Sequence, residues 1–295
     1  MGGIRPRLGA VSAPPRALYD GRAIALLTQH GKERVIAPLF RRALGARVER
    51  VAGYDTDRLG TFTREIPRPG TQREAARRKA RIGMELAGLT CGLASEGAFG
   101  PDPHAGLFPW NVELVMLVDD RACVEVCGIA EGPARHVHGR VETLKALNAL
   151  ARKAGFPHHH LVVRPDGEND PRLRKGISER RSLAEAFDWA RAASTSGCVF
   201  VENDLRAHAN PTRMRTIRAA AEDLVRRLRS RCPACGAPGY WLVERLTGLP
   251  CAACGSPTRE VSAERHGCVN CSHGEVRART DRPHADPSRC DVCNP

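Results

Sequence analysis

Residues 23–44 read AIALLTQHGKERVIAPLFRRAL, and two periodicities meet in them. Ala23–Leu27 is a short, purely apolar run, which suits a strand covered on both faces. From Glu33 the apolar residues Val35, Ile36, Leu39, Phe40, Ala43 and Leu44 recur at three- and four-residue intervals, as on the buried face of a helix. Gly45 supplies the left-handed stop. A strand, a glycine-containing turn and a helix make the opening half of an α/β unit. The turn itself has chemical interest. The N–H groups at a helix start carry positive potential, and Lys32 adds a full charge, so Thr28, His30 and Lys32 are candidate phosphate-binding residues.

Outward from this stretch the pattern keeps alternating. Arg47–Ala52 reads as a second strand, followed by a polar loop over Gly53–Gly70. Thr71 with Glu74 three positions on forms a capping box, so a helix is expected from there to about Ala87. Cys91–Ala94 reads as a buried strand that gives way to a loop holding Gly97, Gly100, Pro101 and Pro103. Two strands, Glu113–Val118 and Ala122–Ile129, flank a hairpin turn at 119–121. A helix over Val141–Ala154, a strand over His160–Val163, a charged loop, a helix over Ser178–Ala193 and a strand over Cys198–Val201 follow. Pro211 opens a long helix to about Arg229. The expected architecture is therefore a flexible tail over 1–20, then an α/β domain over 21–230. Its mixed central sheet is flanked by helices, and a small cysteine-rich region follows over 231–295.

The chain has 295 residues, 12 cysteines and a net charge of +13. Only five of the 46 basic residues are lysine, and the arginines are spread along the chain, as a GC-rich coding bias would produce. The charge is compatible with nucleic acid or another polyanion as partner. No apolar run is long enough to span a bilayer, and no secretory h-region follows the N-terminal arginines, so no membrane is expected and the protein reads as cytoplasmic.

Eight cysteines form four Cys-x-x-Cys pairs: Cys232/Cys235, Cys251/Cys254, Cys268/Cys271 and Cys290/Cys293. Two residues between thiolates let one turn present both sulfurs to one ion, and two such turns complete the tetrahedron that Zn²⁺ prefers. Two structural zinc ions are expected, in a zinc-ribbon region. The glycines after the first two pairs, Gly236 and Gly255, favour a ribbon built from pairs one and two, with pairs three and four forming the other site. A cross-braced alternative joins pair one to three and two to four. His266, His273 and His284 lie close enough in sequence to replace a cysteine. Consecutive His158, His159 and His160 cannot share one ion on a strand, because neighbouring side chains face opposite ways. Tyr240 and Trp241 are expected to pack over the knuckles.

Three elements in order, the Thr28–Lys32 turn, the Thr71–Ala80 helix start and Ser95-Glu96-Gly97 at a strand end, resemble the inosine-triphosphate pyrophosphatase superfamily. Thr28, Lys32, Thr71, Glu74, Ala76, Lys79, Ala80 and Glu96 carry the resemblance. Ile177-Ser178-Glu179-Arg180 is similar to that superfamily's base-contacting turn. His30, Gln72 and Ser95 depart from its usual residues, and the stretch Phe99–Trp110 is longer. The whole chain also resembles an uncharacterised bacterial family with a zinc-binding tail. The resemblance implies an ITPase-like fold and an Mg²⁺-dependent hydrolysis of nucleoside triphosphates. In that reading Lys32 and Lys79 clamp phosphates, while Glu96 with Glu74 or Glu65 holds Mg²⁺ and orients water. Ser178 and Arg180 then touch the base. The competing reading is a non-enzymatic nucleic-acid- or protein-binding module.

Overall fold

The computed structural model describes residues 18–56 and 70–295. Most of the expected tail, most of the loop after Gly53, and Glu65 lie outside the described residues. Ala23–Leu27 forms β1, Glu33–Leu44 α1 and Arg47–Val51 β2. Gly45 ends α1 at φ 67°, where its N–H takes up the carbonyl of Arg41. Helix α2 covers Gln72–Ala87, and its capping box forms as read: Thr71 and Glu74 each satisfy the other's backbone N–H.

Strands β3 (Cys91–Pro101), β4 (Pro109–Asp119) and β5 (Val124–Pro133) complete a five-stranded sheet in the order β2-β1-β3-β4-β5. β1 is parallel to both neighbours, and β3, β4 and β5 are antiparallel, so the sheet is mixed. The loop expected from Gly97 to Pro101 is strand instead. β4 begins earlier than its apolar core suggests and pairs in register from Cys91↔Asp119 to Pro101↔Pro109, which holds the glycines and the terminal proline extended.

Helix α1 and the long α5 (Pro211–Arg229) cover one face of this sheet, where Leu26, Leu93, Val115 and Leu117 meet Ile36, Phe40, Ile217 and Leu224. Helix α2 covers the other through Ala76, Ala80 and Met84 against Ala94, Leu114 and Met116. Each large side chain so buried stabilises the fold by about 1.5–3 kcal/mol.

A second sheet, absent from the sequence reading, is antiparallel with the order β6-β9-β7-β8. Its strands are β6 (His138–Val141), β7 (Leu161–Pro165), β8 (Arg174–Ile177) and β9 (Val199–Asn203). β6 and β8 are four residues each and rich in polar side chains, so no periodicity marks them. Helices α3 (Leu144–Ala154) and α4 (Arg180–Ala193) pack on Leu161, Val163, Val199 and Val201. Alternation sends Arg164 and Glu202 to the opposite face, where they pair, both buried.

In the tail, β10 (Trp241–Thr247), β11 (Val261–Gly267) and β12 (Gly274–Ala278) form an antiparallel sheet. It is joined to the main domain. Gly239 and Tyr240 donate to the Ser230 carbonyl, and Ala237 packs on the first core. A Cβ on Gly239 would lie 2.7 Å from Val126 of β5. No helix among the described residues is long and apolar enough to cross a membrane.

Candidate functional site

β1 stops at Leu27 while β3, its neighbour, continues to Pro101. Their pairing ends near Leu93, so the edge of β3 from Ser95 onward is open to side-chain donors. Lys32, at the turn into α1, reaches that edge. Its Nζ donates to the Ser95 carbonyl at 2.7 Å and to Ser95 Oγ at 3.3 Å. Alternation on β3 directs Ala94 and Glu96 towards α2, and Lys79 of α2 meets Glu96 Oε1 at 2.9 Å. Lys32 and the Lys79–Glu96 pair therefore engage adjacent residues of β3, Lys32 at Ser95 and Lys79 at Glu96 on the α2 face. Lys32, Lys79 and Glu96 are all buried. Burial, with Lys79 and Arg213 nearby, pushes the Lys32 ammonium down to about 7, against a partial lift from Glu96 and Glu113.

Gln72, the first residue of α2, donates to the carbonyls of Glu96 at 2.7 Å and Val112 at 3.1 Å, and so ties helix to strands. On the opposite face of the same strands lies a pair the sequence did not reveal. Arg213 Nε donates to Glu113 Oε1 at 2.7 Å, and both side chains are at most 1% exposed. Asn111 Nδ2 adds a bond to Glu113 Oε1 at 3.0 Å, and the Leu205 carbonyl accepts from Arg213 Nη1 at 2.6 Å. Gly97, opposite Glu113 in register, leaves room for this pair: a Cβ there would lie 2.3 Å from Glu113 Oε1 and 2.6 Å from Arg213 Nη2. No local signal in the sequence pairs Glu113 with Arg213, which lie a hundred positions apart.

Thr28 is buried, with its Oγ1 accepting from the His30 N–H at 3.4 Å. The His30 ring stacks on His208 with centroids 5.1 Å apart. Burial, then the charge of Lys32, pushes His30 down to about 3, and burial, then Arg206, lowers His208. Both imidazoles are therefore neutral at pH 7. His159 Nε2 contacts Thr212 Oγ1 at 2.9 Å, while His160 turns edge-on to His208, so these two neighbouring histidines meet different partners.

Three expected members, Glu74, Ser178 and Arg180, are held by other contacts. Glu74 is exposed, and its carboxylate accepts from the Thr71 N–H at 2.8 Å and Thr71 Oγ1 at 2.9 Å, so it caps α2. The helical rotation of about 140° between positions five apart puts Lys79 inside and Glu74 outside. Ser178 follows β8, the edge strand of the second sheet, and Arg180 opens α4. Arg180 lines a groove between α3 and α4 with Leu147, Phe156 and Leu183. Beside His30 stand His208 and, through its charge, Arg213. The charged loop expected before Ser178 contains β8, which carries the turn to the sheet's outer edge.

The eight tail cysteines gather into two tetrads, Cys232/Cys235/Cys268/Cys271 and Cys251/Cys254/Cys290/Cys293. This is the cross-braced arrangement and corrects the sequential pairing. β10 and β11 run antiparallel with Trp241 opposite Gly267, so the knuckle before β10 meets the knuckle after β11. The pair between these strands lies at the far end, where β12 delivers the chain back and Ala285 bridges Cys251. Sγ–Sγ separations are 3.8 Å (Cys232–Cys271), 3.6 Å (Cys235–Cys268), 3.9 Å (Cys251–Cys293) and 3.7 Å (Cys254–Cys290). Four thiolates at the usual Zn–S distance of 2.3 Å stand about 3.8 Å apart in a tetrahedron, so the sulfurs fit zinc.

Gly236 and Gly255 both take φ 73°, as two matching knuckles demand. Ser256 holds the Cys254 thiol down at about 6, and the neighbouring Cys254 pushes Cys293 up to about 12. A divalent cation binds the deprotonated thiols and takes the place of the proton they share. Both tetrads are all-cysteine; His266 and His273 instead flank Tyr240, which is buried, and Trp241 lies under Arg227.

Comparison with curated proteins finds no match. Residues 79–295 match the family described as Domain of unknown function (DUF6671). That span takes in Lys79, Glu96, Glu113, Arg213 and both cysteine tetrads, and the chain belongs to this family.

Proposed function

We propose that the main domain binds the phosphates of a nucleoside triphosphate at the open edge of β3 and hydrolyses it to monophosphate and pyrophosphate, with the zinc tail as a structural extension. One observation supports the reading: Lys32 and the Lys79–Glu96 pair, from three stretches far apart in the chain, engage the adjacent β3 residues Ser95 and Glu96. Among the described residues the buried group holds three cations, Lys32, Lys79 and Arg213, against two carboxylates, Glu96 and Glu113. The excess positive charge suits an anionic ligand. Lys32 and Lys79 orient the phosphates, and binding an anion restores the full charge of Lys32. The donor chemistry also accommodates Mg²⁺ in its common form, held by one carboxylate together with substrate phosphates. Glu96 is the residue that would hold it, and the ion would neutralise phosphate charge. The ITPase-like resemblance of the 22–191 region agrees with this assignment.

The test is pyrophosphate release by zinc-loaded protein from a panel of nucleoside triphosphates with Mg²⁺. Turnover that falls at least about 100-fold in Glu96→Gln, with the fold intact, supports the reading. No turnover on any nucleotide, together with nucleic-acid binding that weakens steeply with salt, replaces it with the binding-module reading.

A further inference from the structure

A cavity of about 450 Å³ opens between the β1–α1 turn and the start of α5, outside the Lys32–Lys79–Glu96 group. Its lining divides by chemistry. Arg34, Arg215 and Arg218 bring three guanidinium groups, and among the described residues no acidic side chain lines the cavity. Arg218 pairs with Glu222 at 2.9 Å and Arg215 donates to Thr212 Oγ1 at 3.3 Å, both on the exposed surface of α5. The remaining wall is apolar or flat: Val35, Pro211, Met214, and the stacked rings of His30 and His208. The volume falls within the range of small-molecule sites, which combine apolar walls with a few convergent polar groups.

We infer that this cavity binds a phosphate monoester carried on a planar ring, with the phosphate on Arg34, Arg215 and Arg218 and the ring against the His30–His208 stack. Guanidinium forks match phosphate oxygens in geometry as well as charge, which favours this anion over a carboxylate. Two neutral imidazoles present a flat surface that repels neither a base nor a sugar, and Met214 adapts to the ring's outline. The inference does not depend on hydrolysis at Glu96.

The test is equilibrium titration of the zinc-loaded full chain, without Mg²⁺ and at low salt, with adenosine monophosphate, inorganic phosphate and adenosine as probes. Adenosine monophosphate is expected to bind tightest, inorganic phosphate more weakly and adenosine weakest. Arg34→Gln/Arg215→Gln should lower the affinity for adenosine monophosphate by about tenfold or more at unchanged melting temperature. Wild-type affinity should also fall as salt rises. Wild-type affinity in the double variant overturns the site, as does a failure of the wild-type protein to bind adenosine monophosphate. Equal affinity for adenosine monophosphate and inorganic phosphate overturns the ring contact. No turnover is needed, so a failed hydrolysis assay leaves these results readable.

Discussion

Arg213→Met probes the buried pair that the fold places behind Gly97. The guanidinium is 1% exposed and Glu113 is fully buried, so truncation leaves a carboxylate in a low-dielectric site where, among the described residues, Asn111 remains as its donor. The Leu205 carbonyl also loses its 2.6 Å donor. Breaking a buried pair from one side costs about 3–5 kcal/mol, because the surviving charge is uncompensated. For a domain of this size each kcal/mol moves the melting temperature by about 2–4 °C, so a fall of roughly 6–20 °C is expected. The assay is thermal unfolding of zinc-loaded protein followed by circular dichroism. Glu113→Met should behave alike, and Glu113→Met/Arg213→Met should be less damaging than either single change, since no orphan charge remains. A fall below about 2 °C in Arg213→Met, or additive losses in the double variant, would refute the reasoning.

Zinc content should be two ions per chain, and in cadmium-substituted protein Cys268→Ser should perturb the same metal resonance as Cys232→Ser while sparing the one altered by Cys251→Ser; a resonance shared by Cys232 and Cys251 contradicts the cross-brace. Chelation should expose the tail and the 230–241 junction to protease first, because each structural site contributes on the order of 10 kcal/mol to folding; an unchanged digestion pattern counts against that role. Gly97→Ala should destabilise by about 1–3 kcal/mol in urea unfolding, as its methyl meets Glu113 and Arg213 below van der Waals distance; neutrality would mean the pair yields freely. Lys32 falls from 10.5 to about 7 on folding, so it is charged in both states below 7 and neutral only in the folded state between about 7 and 10.5. Stability from this group therefore rises with pH across that window. Binding of pyrophosphate at pH 8 should take up a proton, read by calorimetry in buffers of differing ionisation enthalpy; absence of uptake separates the ligand from Lys32.

Much of the first sheet was legible because its elements carry strong periodic signals. β1, α1 and α5 match the expected bounds, and the capping box at Thr71 formed as read. The second sheet was not, since β6 and β8 are short and polar and gain their order from pairing with β9 and β7. The glycines at 97 and 100 read as a loop, but the long β4 partner holds them extended. At the site, Lys32 was visible at a helix start, while Lys79 and Glu96, which lie inside α2 and β3, stood out only through the motif resemblance. Glu113 and Arg213 are a hundred residues apart, and nothing local in the chain announces their meeting. The cysteine spacing revealed the ligands but not their partners, because the interleaving is decided by strand direction in a sheet that the polar sequence of β10–β12 hides.

The proposed phosphate site is tested most directly by a crystal structure of the protein with Mg²⁺ and a non-hydrolysable nucleoside triphosphate. The account predicts phosphate oxygens within hydrogen-bond reach of Lys32 and Lys79, with the ion against Glu96. A nucleotide that touches neither lysine, with the Lys79–Glu96 pair intact at 2.9 Å, would contradict it.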